Sequence, residues 1–245
     1  MRVCVAQLRP EPGDLAKNTE KHLALIKQAV VHRADVVYFP ELSLTGYQPR
    51  LSSALVSDAE HWCLNELQEL SDAHGLQIGV GMPLVVDAGV QIGMVWFLPH
   101  EPPRTYAKQW LHASELAYFT AGDHQLLLDS HGGTLAPAIC YESLQADHAN
   151  AAAEMGARFY LASVAESASN LPRAMQHYSS VARRHSMHVL LADAVGPSGD
   201  FISTGRSAAW NTEGELLAQM GTDSEGVLIL DTAQGIASVH EVATS

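Results

Sequence analysis

The stretch Asp35–Glu41, "DVVYFPE", carries five apolar residues between two carboxylates. A run this short and this continuously apolar fits a strand covered on both faces, because a half-exposed strand would alternate with polar residues. The neighbouring segments supply the cover. Residues Val3 to Leu8 read as a first strand. Gly13-Asp14 then opens a helix whose Leu15, Leu23, Ile26, Ala29 and Val30 share one face. After the quoted run, Leu42 to Ser53 reads as a loop and Asp58 to His74 as a helix that stops at Gly75. "LQIGVGMPLVV" (76–86) and "IGMVWFL" (92–98) read as neighbouring strands around Asp87-Ala88-Gly89, and "RTYAK" (104–108) as another short strand.

A long irregular stretch leads to Asp123. Beyond it the order is strand "TLAPAIC" (134–140), helix "SLQADHANAAAEMG" (143–156), strand "RFYLAS" (158–163), helix Pro172 to Ser186 and strand "HVLLAD" (188–193). A hairpin about Thr212-Glu213-Gly214 and a last strand "GVLILD" (226–231) complete the pattern. The tail from Thr232 is small and polar, and is expected to pack on a partner subunit or to be loose. Alternating strands and helices imply an α/β protein with mixed sheets covered by helices, in a single domain over residues 1–245.

Composition narrows the function. Of 245 residues, 47% are hydrophobic, enough for a sizeable core, and the formal net charge is −13. That charge repels phosphate backbones and anionic lipid, so neither nucleic acid nor membrane is expected as a partner. The apolar start of "MRVCVAQLRP" is too short for a signal-peptide core, which predicts a cytoplasmic protein. The three cysteines, Cys4, Cys63 and Cys140, are far apart, which suits a reducing compartment. Cys4 and Cys63 read as buried free thiols. The thirteen histidines are scattered without ligand spacing, so no metal site is expected, and no phosphate-binding glycine loop is present.

In open α/β sheets ligands bind beyond the carboxyl ends of the strands. The apolar runs end at Glu41, Lys108, Cys140, Ser163 and Asp193. Singly, these read as a solvated loop carboxylate, a surface lysine or core filling. Together, a carboxylate, an ammonium and a thiol make chemical sense. The thiol attacks, the carboxylate takes its proton, and the ammonium holds an oxyanion or keeps the carboxylate ionised. The Tyr141 amide follows the thiol, and the helix start just beyond would favour a thiolate.

These residues carry a resemblance to the nitrilase superfamily, the carbon-nitrogen hydrolases, whose Glu-Lys-Cys triad comes in this order. "VAQL" (5–8) resembles the family's first strand, and Asn18 matches an Asn of its first helix. "ADVVYFPELSLTGY" (34–47) resembles the general-base block and "YAKQWLHASELAYFTAGD" (106–123) the lysine block. "APAICYES" (136–143) resembles the nucleophile block, and "GRSAAWNTEGELLA" (205–218) the closing hairpin. The resemblance covers essentially the whole chain.

It implies an αββα four-layer sandwich and pairing of two subunits into a homodimer or higher oligomer. It implies Cys140 as nucleophile, Glu41 as general base, Lys108 with the Tyr141 amide as oxyanion holders, and Glu115 as a second carboxylate orienting Lys108. The implied substrate is a small-molecule amide, cleaved through a thioester with no metal and no cofactor. Tyr47, Trp110, Ser163, Val164, Ala165 and Glu166 are the expected pocket residues.

Several positions depart from the family pattern. Trp110 stands where His is common, and Leu144, Ala146 and Asp147 where Arg and Pro-Glu are common. Val164-Ala165-Glu166 replaces a bulky loop, and Asp193 stands for Asn. The expected reading of Glu166 is a solvated loop carboxylate; the sharper one is selection of a substrate bearing an amino group. Glu142 is expected to brace its turn. A catalytically silent binding protein and a nitrilase acting on nitriles are the alternatives. The residues include no appended synthetase domain, so ammonia channelling within this polypeptide is not expected.

Overall fold

The computed structural model describes residues 1–51 and 62–242. In it the quoted run forms β2 (Val36–Tyr38), buried along its whole length. It lies between β1 (Arg2–Gln7) and β3 (Gln77–Val86) and runs parallel to both. Both faces are covered, which is why the sequence shows no alternation there. β4 (Gly89–Leu98) and β5 (Glu101–Ala107) extend this sheet on one side by antiparallel pairing. β13 (Glu225–Asp231) and β14 (Ile236–Val242) extend it on the other. Among the described residues the sheet has seven strands.

The second sheet has five strands among the described residues. β6 (Leu135–Ile139), β7 (Phe159–Val164) and β8 (His188–Asp193) run parallel, and β11 (Ala208–Trp210) and β12 (Leu216–Gln219) close it as a hairpin.

Alternation along the strands sorts the core into layers. Val3 and Val5, Val36 and Tyr38, and Met94 and Trp96 point inward. They meet Ile139, Leu161, Leu190 and Ala209 of the smaller sheet. The opposite residues of the larger sheet, Cys4, Val37, Ile78 and Phe97, pack on α1 (Leu15–Val31) and α2 (Trp62–His74). Ala138, Tyr160, Ala162 and Leu191 of the smaller sheet pack on α3 (Ala146–Glu154) and α4 (Leu171–His185). The order of layers is helix, sheet, sheet, helix, as expected. Each fully buried large side chain contributes roughly 1.5–3 kcal/mol through area removed from water.

The reading of the tail needs correction, and one hairpin escaped the sequence. The small polar tail is not a loose end up to Val242: Ile236–Val242 forms the edge strand β14, its seven residues in register with β13. Its alternation is too weakly apolar to read as a strand, because one face is open at the sheet edge. The hairpin β9 (Val195–Ser198) and β10 (Phe201–Thr204) was also not expected. Asp58 and the side chains of Trp62 and Cys63 lie outside the described residues. Among those described, no helix is long and apolar enough to cross a membrane.

Candidate active site

Glu41 stands just past β2, where Pro40 ends the apolar run. The loop after it is fixed from below by α1, which Asp14 caps by accepting from the Lys17 amide. Asn18 donates to the Leu44 and Glu11 carbonyls at 2.9 and 2.8 Å. His22 bridges the Asn18 carbonyl at 2.7 Å and the Ser43 hydroxyl at 2.9 Å. Burial pushes this imidazole down to about 4, so it works as a neutral bridge. On the other side lies Gly81. A Cβ there would sit 2.4 Å from the Pro40 carbonyl oxygen, so only glycine lets β3 approach this closely.

Lys108 follows β5 and has no exposed surface. Its backbone is tied at both ends, by its amide to the Ile92 carbonyl and by its carbonyl to the Gly122 amide, each at 2.8 Å. Its Nζ donates to Glu41 Oε1 at 2.8 Å and to Glu115 Oε1 at 2.7 Å. Glu115 is held in turn by the Tyr47 hydroxyl at 3.0 Å and the His112 amide at 2.7 Å. The surface-lysine and solvated-carboxylate readings of Lys108 and Glu41 are overturned: both groups are buried, and they are paired.

Cys140 ends β6 and opens a 3₁₀ turn, Cys140–Leu144, with φ of +48°. Holding a non-glycine residue in the left-handed region costs roughly 1–3 kcal/mol, which surrounding bonds must offset. Ser143 donates to the Cys140 carbonyl at 2.6 Å. Glu142 accepts from the Ile139 amide at 2.7 Å, the Tyr106 hydroxyl at 2.7 Å and the Gln109 amide at 2.6 Å. That is the bracing expected of it. Cys140 is partly exposed, and its thiol donates to the Ala165 carbonyl at 4.0 Å.

The electrostatics of the three groups are linked. Burial raises the Glu41 carboxyl to about 7; Lys108 opposes the rise and the Glu115 charge adds to it. Burial works against the Lys108 ammonium, but Glu41, Cys140 and Glu115 more than compensate and raise its pKa above the ordinary lysine value. Burial and the Glu41 charge push the Cys140 thiol well above the ordinary cysteine value, with Lys108 pulling the other way. The expected thiolate is therefore corrected to a neutral thiol at rest. A 3₁₀ turn of one to two windings has too little aligned dipole to outweigh two carboxylates. Glu41 Oε2 has no hydrogen-bond partner among the described residues, although the thiol is near enough to lower the Glu41 pKa slightly.

A cavity of about 960 Å³ lies above the thiol. Cys140, Glu115, Tyr47, Tyr141, Ala165 and Glu166 line it, while Glu41 and Lys108 lie behind its floor. Three expected pocket residues do not line it. Ser163 is wholly buried and gives its hydroxyl to the Phe39 carbonyl at 2.8 Å. Val164 faces α4 in the outer core. Trp110 packs edge-on against His148, with centroids 5.9 Å apart. Glu166 is not a solvated carboxylate either, being only 9% exposed. Its amide donates to Asp193 Oδ1 at 2.9 Å. Burial holds the Asp193 carboxyl well above the usual carboxylate range, and the backbone hydrogen bonds of Glu166 and Ala194 pull the other way.

The cavity also takes residues that the sequence did not flag. Arg50 and Arg173 line its wall, and so does His112, which stays exposed. Asp200 and Phe201 reach it from the unexpected β9–β10 hairpin, whose "GPSGD" turn was the available signal. Among the described residues no group of three or more His, Cys, Asp or Glu side chains is arranged to hold a metal ion.

The sequence profile of the family described as carbon-nitrogen hydrolase matches residues 2–241. The glutamine-dependent NAD(+) synthetase of Rhodobacter capsulatus is 27% identical over 253 residues, covering 98% of this chain and 45% of that protein. The protein of the same description from Synechocystis sp. is 25% identical, covering 99% of this chain and 49% of its own length. The chain thus spans about half the length of the curated relatives it matches. Among solved structures, the NitN amidase of Nesterenkonia sp. AN1 superposes with a TM-score of 0.82 at 22% identity, covering 94% of this chain and 92% of that one. A mutant of that amidase in complex with butyramide superposes with a TM-score of 0.81, over 94% of this chain and 89% of that one.

Proposed function

The chain belongs to the carbon-nitrogen hydrolase family, and on that premise we propose that it hydrolyses the amide bond of a small molecule through a thioester on Cys140. The observation that carries this reading is the buried Lys108 ammonium. It binds two carboxylates at 2.8 and 2.7 Å beside a thiol that opens onto a cavity.

The steps follow from the resting charges. Glu41 takes the thiol proton as Sγ bonds to the amide carbon. The oxygen gains negative charge, which the Lys108 ammonium and the Tyr141 amide stabilise; the first amides of a helical turn have no partner inside it. Collapse breaks the C–N bond, and the departing nitrogen takes the proton from Glu41. Water then gives a proton to Glu41 and attacks the thioester, and the carboxylic acid leaves as the thiol is restored. Glu115 shares Lys108 and keeps its Nζ aimed at the site. An acid poised near neutrality suits both proton transfers. A single domain pairing as a homodimer is part of the reading, on the family resemblance, and sedimentation tests it.

The test is a thioester adduct. Pooled primary amides, glutamine and butyramide among them, are mixed with the protein and quenched in acid. Mass spectrometry should find the acyl mass on the Cys140 peptide, and none in Cys140→Ser. Ammonia release without an adduct on Cys140, or neither signal with any amide, refutes the proposal.

A further inference from the structure

Glu166 is a buried carboxylate of the cavity wall with no cation beside it among the described residues, whereas Asp200 on the same wall is exposed to solvent. Its Oε1 accepts from the adjacent Ser167 amide at 2.9 Å, and Oε2 makes no hydrogen bond among the described residues. No Lys, Arg or His among them pairs with it, though Arg50 and Arg173 line the same cavity. It is nine-tenths buried, and a carboxylate so placed is costly unless a cation meets it.

Its position is also fixed. The Asp193 carboxyl holds its amide, and the Glu166 carbonyl accepts from the Thr204 amide at 2.9 Å. Its neighbour Ala165 supplies a carbonyl that accepts from the thiol. A charge at Glu166 therefore acts on the group that attacks.

We propose that Glu166 receives a cationic group on the acyl part of the substrate, so that the preferred substrate is a primary amide bearing an ammonium. This deepens the hydrolase reading and rests on it for the site. The Glu166 charge is one of those that raise the Cys140 thiol pKa. A bound ammonium cancels that contribution, so the right substrate also makes the thiol easier to ionise.

The test compares two primary amides of one size, cationic 4-aminobutanamide and neutral pentanamide, at fixed pH. The wild-type kcat/KM ratio should favour the cation by about tenfold or more, the usual gain from a charge-assisted bond in a shielded site. In Glu166→Gln the ratio should fall to near one, and in Glu166→Asp it should recover in part. A general loss of structure lowers both rates and leaves their ratio alone. Calorimetry on Cys140→Ala measures the same preference without chemistry. If neither amide is hydrolysed but this protein binds the cationic one preferentially, the hydrolase reading fails and the Glu166 assignment stands. Equal handling of both amides by the wild type, or an unchanged ratio in Glu166→Gln, overturns the assignment.

Discussion

Replacing Glu41 with Gln probes the carboxyl that burial has lifted to about 7. The base must be ionised to accept the thiol proton, so activity is present above this pKa and is lost as pH falls through it. For a pKa near 7, about a tenth of the molecules keep the base one pH unit below it, and about a hundredth two units below. The kcat/KM of the wild type should fall accordingly between pH 8 and pH 5, and Glu41→Gln should be inactive throughout. Stability runs the other way. A carboxyl whose folded pKa is raised binds its proton more tightly when folded. Its contribution is present below the ordinary carboxylate pKa of 4.5 and is lost as pH rises through about 7. The full swing for such a shift is on the order of 3 kcal/mol. Lys108, raised above the ordinary lysine value, stays charged across this window and adds no slope. Urea melts at pH 5 and pH 8 measure the swing, and Glu41→Gln, which mimics the protonated acid, should lose it. If wild-type kcat/KM at pH 5 is within threefold of that at pH 8, or if the variant keeps the wild-type stability slope, the account of Glu41 is wrong.

Other expectations follow from the same contacts. Gly81→Ala drives a methyl into the Pro40 carbonyl; it should cost about 1–3 kcal/mol in a denaturant melt and lower kcat by displacing Glu41. Lys108→Met should cost on the order of 100- to 1,000-fold in kcat, read by steady-state kinetics, since it removes the charge that faces the oxyanion. Tyr47→Phe removes the hydroxyl bond to Glu115 and should destabilise by about 1 kcal/mol in a thermal melt, with a smaller rate loss than Lys108→Met. Iodoacetamide should label Cys140 well before Cys4, which is wholly buried with its thiol pKa raised; peptide mapping over time reads the order.

The layers were legible because strand and helix periods differ and because "VVYFP" has no polar face. β14 was not, since an edge strand with one open side needs little apolar sequence. The residues that meet at the site, Glu41, Lys108 and Cys140, could be picked out as strand exits, since in these sheets side chains at the carboxyl ends share one rim. Their charge states could not. The helix-start argument pointed to a thiolate, but burial among Glu41 and Glu115 decides for the thiol, and burial is a property of the assembled layers. Glu166 shows the same limit. Its exposure depends on the β9–β10 hairpin, whose Thr204 amide bonds to its carbonyl. Nothing near position 166 in the sequence announces that distant cover.

The three short contacts at Glu142 have a mechanical consequence. One carboxylate grips the Ile139 amide of the smaller sheet, the Tyr106 hydroxyl of the larger one and the Gln109 amide just past that strand. These residues directly precede Cys140 and flank Lys108, so the clasp fastens the two walls of the sandwich where sulfur and ammonium face each other. When heat or pressure makes the walls breathe, the gap should open elsewhere first, and the reach from sulfur to ammonium should be among the last dimensions of the molecule to drift.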